Sequence, residues 1–166
     1  RQIAARAGTA EGNIYRHFSG KDGLVRATFE ACASRFHEVL RWESDENSEP
    51  PERLVGLIAG IFAFATEHPT EFDYLVSIHR HVLGRIDMQR EPLPLRLFTT
   101  AIQDGIDRGV FRSVDPTLAA GWIVGMSQRT ISLQEAGLVS ANRAKMVEET
   151  AAAAERLLRP DENRDE

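Results

Sequence analysis

The sequence predicts an all-α protein, and three observations carry that expectation. Apolar residues recur at helical spacing, as in Ile3, Ala4 and Ala7, or Ile14 and Phe18. Start and stop signals punctuate the chain: Asp115-Pro116 is a cap followed by a first-turn proline, and Gly84, Gly109 and Gly137 each close a periodic segment. No strand pattern, repeat or low-complexity tract competes with them. With 166 residues, 42% of them hydrophobic and 27% charged, the chain can bury a real core, and disorder is not its default.

The first stretch, Arg1–Phe18, predicts two short helices joined by a tight turn. The first buries Ile3 and Ala7 and ends at Gly8, where a left-handed residue is needed. The second buries Ile14 and Phe18 and carries Glu11, Asn13, Tyr15, Arg16 and His17 on its other faces. A bracing helix, a small-residue turn and a second helix with polar side chains are the parts of a helix-turn-helix. Ser19-Gly-Lys-Asp22 then reads as a capping box that opens a long helix to Trp42, with Leu24, Phe29, Phe36, Val39 and Leu40 among its apolar positions. The acidic, turn-rich segment 43–51 closes this unit, so residues 1–42 are expected to form one domain with its connecting helix and residues 43–166 a second.

Four helices are expected after that boundary and before the last. One covers Glu52–Glu67 and ends at His68-Pro69; another, capped by Thr70-x-x-Asp73, reaches Leu83. A loop holds Arg85–Pro92, and helices follow over Pro94–Arg108 and from Asp115 to Ala136. A last helix, capped by Ser140, runs to Pro160, and the charged tail 161–166 is expected to fray.

Charge is divided unevenly. The net charge is −5, yet in residues 1–26 Arg1, Arg6, Arg16, Lys21 and Arg26 stand against only Glu11 and Asp22. That end is +3 and the remainder −8, a pattern that points one end at phosphate. The single cysteine, Cys32, excludes an internal disulfide and suits a reducing cytoplasm. No stretch has transmembrane length without charge, so no membrane role is expected.

The run Tyr15-x-His17-Phe18, then Lys21 and Leu24, behind an Ala-Gly turn, resembles the DNA-binding domain of the TetR (tetracycline-repressor-like) family of transcriptional regulators. The resemblance covers about the first thirty residues by motif and the rest by architecture. It implies a further helix ahead of Arg1 that completes a three-helix DNA-binding unit. It also implies that Tyr15, His17 and Lys21 hold phosphate oxygens, which fixes register without reading sequence. Gly12 would let the backbone approach DNA, and Glu11, Asn13 and Arg16, with Thr9 and Ala10 at the leading edge, would read bases. One departure stands out: the family more often has an apolar residue at Thr9 and a hydroxyl at Ala10, so the helix start is shifted here.

For the body, the resemblance implies a homodimer on a palindromic operator in double-stranded DNA, because two recognition helices must lie about 34–36 Å apart. The last two helices would form the interface, with Gly121, Gly125, Ala151 and Ala154 as the small residues that allow close approach. It further implies a cavity for a small-molecule effector, with no cofactor or metal. Phe62, Phe72, Tyr74, Leu75, His79, Phe98, Trp122 and Met126 are its expected lining, against the plainer reading of each as core. Thr99, Gln103 and Gln128 are further polar groups near that set, which suits an apolar, neutral or weakly acidic effector. The implied activity is repression relieved by the effector. An interaction protein with a vestigial helix-turn-helix is the alternative. An enzyme is not expected: His79 and His81 lie about 200° apart on a helix and cannot chelate with each other, and no nucleophile set or phosphate loop stands out.

Overall fold

A computed structural model describes Gly8, Gly12, residues 16–82 and residues 94–160, with the side chains of 78–82 left aside. Among the described residues there are six α-helices and no strand: α1 (Gly20–Glu43), α2 (Pro50–Glu67), α3 (Pro69–Val82), α4 (Pro94–Asp107), α5 (Pro116–Glu135) and α6 (Arg143–Leu158). The fold class is as the sequence predicts.

Helix α2 is the centre. Its face of Leu54, Leu57, Ile58, Ile61, Phe62 and Phe64 is buried, and it packs against all five other helices. Burial of each such side chain contributes roughly 1.5–3 kcal/mol. The long α1 lies along α2 and also touches α3 and α4. Two glycines permit this approach. A Cβ at Gly56 would stand 2.5 Å from the Glu43 carbonyl oxygen, and one at Gly60 would stand 2.8 Å from Leu40 Cδ2. The end of α1 therefore seats directly on the α2 backbone.

Local chemistry sets the helix ends, and it departs from the expected caps in four places. Ser19 precedes α1 but makes no side-chain cap hydrogen bond. Gly20, at φ +82°, turns the chain instead, and its N–H donates to the Phe18 carbonyl at 2.7 Å. Helix α2 begins at Pro50, two residues before the expected start, because proline suits a first turn whose N–H groups lack partners. Likewise Pro69 opens α3, so Thr70 is inside the helix and does not cap it. The cap of α6 is Asn142, whose side chain accepts from Lys145 N–H at 2.9 Å, and not Ser140. The Asp115 cap stands as expected, accepting from Thr117 N–H at 2.8 Å and Leu118 N–H at 2.9 Å. Gly109 and Gly137, both at φ +70°, close α4 and α5 as read from the sequence.

After α4 the chain folds back. The Phe111 ring sits where Gly105 has no side chain, and a Cβ there would be 2.1 Å from the ring. Arg112 then clasps the end of α6, with its N–H on the Leu158 carbonyl at 2.9 Å and its Nε on the Leu157 carbonyl at 2.7 Å.

Candidate DNA-contact end and interior cavity

At the N-terminal end, Gly8 is a turn residue at φ +62°, the left-handed conformation expected of it, while the helix expected ahead of it lies outside the described residues. Gly12, Arg16 and His17 are helical and exposed, and Lys21 is exposed in the first turn of α1. A Cβ at Gly12 would meet nothing within 4 Å among the described residues, so none of these demands glycine there. Thr9, Ala10, Glu11, Asn13 and Tyr15 lie outside the described residues. A short way along α1, Arg26 Nε bonds Glu30 Oε1 at 2.6 Å.

The second feature is a cavity of about 220 Å³ between α1, α3, α4 and α5. Helix α1 supplies Phe29, Ala33 and Phe36; α3 supplies Phe72, Leu75 and Val76. Helix α4 gives Pro94, Leu95 and Phe98, and α5 gives Gly121, Val124, Gly125 and Gln128. Among these described residues Gln128 is the one polar side chain, and its amide makes no hydrogen bond among the described residues.

The cavity gathers some expected lining residues and not others. Phe72, Leu75 and Phe98 line it. Phe62 is 1% exposed within the α2 core and does not reach it. Tyr74 points its hydroxyl at the Val25 carbonyl, 3.0 Å away. Trp122 is on the outer face of α5 at 39% exposure, and Met126 lines a groove between α5 and α6 beside Thr130 and Met146. Thr99 and Gln103 border a polar surface groove with Asp104 and Asp115. The side chain of His79 is outside the described residues. Helical geometry explains the division on α5. Gly121, Gly125 and Gln128 are spaced i, i+4, i+7 and share one face, so Trp122 and Met126 must turn away from it.

Gly121 and Gly125, expected at an interface, are exposed residues at the cavity edge, and a Cβ on either would meet nothing within 4 Å among the described residues. Of the two alanines expected there, Ala151 is half-buried and Ala154 is 1% exposed against the protein's own core. The α1 wall went unforeseen. Phe29, Ala33 and Phe36 also follow i, i+4, i+7 spacing, a stripe that reads equally well as core.

Charge and burial around the α1–α3 seam keep it neutral inside. The Cys32 thiol is pushed up from its ordinary value by burial and then by the Glu71 carboxylate, with Arg35 opposing. Glu71 is itself paired with Arg35. The Tyr74 phenol is raised by burial and by Cys32, so it remains a hydrogen-bond donor. No group of three His, Cys, Asp or Glu side chains able to hold a metal occurs among the described residues.

Among the described residues, a helical body with an apolar cavity follows a left-handed glycine turn and a few exposed helical residues, the order of parts in a helix-turn-helix protein with an attached helical domain. Comparison makes the class specific. Residues 1–28 match the family model described as bacterial regulatory proteins, tetR family. Over 124 residues the chain is 27% identical to the HTH-type transcriptional repressor KstR2 of Mycobacterium tuberculosis, covering 68% of this chain and 58% of that protein. The chain thus spans less than two thirds of this relative's length. A TetR-like transcriptional regulator from Rhodococcus sp. RHA1 superposes with a TM-score of 0.69 at 21% identity, covering 93% of this chain and 80% of the other. The fatty acid degradation regulator FadR from Bacillus halodurans gives 0.70 at 20% identity, covering 95% and 87%. Likeness to TetR-family regulators thus runs from the first 28 residues, by sequence, to the helical body, by fold. No helix among the described residues is long and apolar enough to cross a membrane.

Proposed function

We propose that this protein is a DNA-binding transcriptional repressor that holds a palindromic operator as a homodimer and releases it when a small apolar molecule enters the cavity. One observation carries the reading: α1 serves both ends. Its first turn bears Lys21, next to exposed Arg16 and His17, and its middle, through Phe29, Ala33 and Phe36, is a wall of the cavity. A molecule that binds one position of α1 better than another shifts the DNA-binding end by that difference in affinity alone. Repression is supported by the KstR2 likeness, since that relative is a repressor by name. Residues 1–42 are the DNA-binding part with its connecting helix, residues 43–166 bind effector and partner copy, and the protein acts in the cytoplasm.

Selection of bound duplexes from a random library tests this. A palindromic consensus bound by two chains, with affinity falling steeply as salt rises, is the expected result. Recovery of no consensus, with salt-independent retention of unrelated DNA, would overturn it.

A further inference from the structure

We infer that Gly121, Gly125 and Gln128 form one recognition strip on α5, and that the cavity takes a planar, uncharged molecule with a single hydrogen-bonding head. This rests on the effector reading above and names the chemistry of that same cavity. The strip follows from three facts. The glycines are one turn apart, about 6 Å along the helix, and both border the cavity. No packing among the described residues of the chain requires glycine at either, since a Cβ there would find open space. Glycine in a helix interior is unfavourable relative to alanine, so two at cavity-facing positions leave α5 backbone bare at a cost in stability. A bare backbone strip bordered by phenylalanine rings admits a flat molecule closer than side chains would.

Gln128, one turn beyond Gly125 on the same face, supplies the head contact. Its amide, without a hydrogen-bond partner among the described residues, offers one acceptor and two donors. No charged side chain among the described residues lines the cavity, so an ion entering it would lose hydration without a counter-charge. The size fits one substituted ring: about 220 Å³ compares with the roughly 150 Å³ of a cavity that accepts benzene.

Three probes of matched shape test this by calorimetry: 4-butylphenol, butylbenzene and 4-butylbenzoate. The phenol should bind tightest and the benzoate weakest, by on the order of tenfold. Gln128→Leu should weaken the phenol about fivefold and leave butylbenzene within about twofold. Gly125→Ala and Gly121→Ala should raise the melting temperature while weakening all binding by on the order of tenfold, because the methyl enters the cavity. A structural glycine would instead lower the melting temperature. Benzoate binding as tightly as the phenol, or alanine variants with unchanged affinity, would overturn the inference and leave the effector cavity standing. If none of the three binds, the cavity reading and the inference fall with each other.

Discussion

The Tyr74 hydroxyl donates to the Val25 carbonyl at 3.0 Å, joining α3 to the first third of α1 across 49 residues of sequence. Val25 is between Lys21, on the DNA side, and Phe29, on the cavity wall, while Tyr74 is flanked in α3 by Phe72, Leu75 and Val76 of the same cavity. The bond is therefore a strut between the two ends of the proposed switch. Tyr74→Phe keeps the ring and removes the strut. Urea denaturation should show a loss of about 1 kcal/mol. Operator affinity without effector should change little, whereas the drop caused by 4-butylphenol should shrink. A variant with an unaltered drop would assign Tyr74 to stability alone.

At the DNA end the exposed groups divide by task. Lys21→Ala should weaken binding to every sequence alike and lower the salt slope by about one unit, since one phosphate contact is gone. His17→Ala should also act uniformly. Arg16→Ala should relax preference at one base pair in each half-site, costing on the order of 1–3 kcal/mol there. Repeating the duplex selection with each variant checks this, and an unchanged consensus for the Arg16 variant would remove it from base readout.

Fold class and helix order were legible because they depend on periodicity and on punctuation by Gly, Pro and Asp, which act locally. Caps were less so: Gly20 displaced Ser19, and the prolines at 50 and 69 claimed first turns that the hydroxyl and carboxylate pattern assigned elsewhere. Close approach between helices was least legible. Gly121-x-x-x-Gly125 and Gly56-x-x-x-Gly60 carry the same spacing, yet among the described residues only the second pair meets another backbone. Sequence spacing places residues on one face but says nothing of what that face meets. For the same reason the α1 wall of the cavity was indistinguishable from core.

The difference between the two glycine pairs predicts opposite stabilities. At Gly56 the obstacle is the Glu43 carbonyl, a backbone atom with no rotamer to change, so Gly56→Ala must push α1 off α2. A loss of about 1–3 kcal/mol is expected, despite alanine being the better helix former. Gly105→Ala should behave similarly, because the Phe111 ring fills its space. Chemical denaturation of both, beside Gly121→Ala, measures the contrast. Equal stability in all three would mean that α1 and the Phe111 turn yield freely.

Trp122 and Leu118 protrude on the outer face of α5 at 39% and 51% exposure. Neither side chain lines the cavity. If the homodimer forms through α5 and α6, these two side chains are the apolar anchors of that face. Trp122→Ala should then cost far less in monomer stability than the 3–5 kcal/mol of a fully buried tryptophan. Sedimentation equilibrium should show a weakened dimer, with specific operator binding reduced in parallel. A dimer of normal strength would move the interface off this face.

His37 gives the expected response to acid. It is half-buried on α1, its Nδ1 is buried without a hydrogen-bond partner among the described residues, and burial holds its pKa below the ordinary 6.5. Arg41 and Arg96, the latter from α4, lower it further, while Glu46 and Glu38 act in the opposite sense and are outweighed. The folded protein thus keeps this imidazole neutral at pH 7. Between pH 6.5 and the lower folded value, the unfolded chain binds the proton more readily than the folded one. Stability consequently rises with pH across that window and is lost as pH falls through it. Protonation would place a cation beside Arg41 and Arg96, so acid should loosen the α1–α4 seam, which is also a cavity wall. Melting temperatures at pH 7.5 and 5.5 measure the effect. The drop on acidification should be smaller in His37→Gln than in the native chain, because the other groups titrate in both proteins. An equal drop in the two would show that His37 carries no part of the acid response.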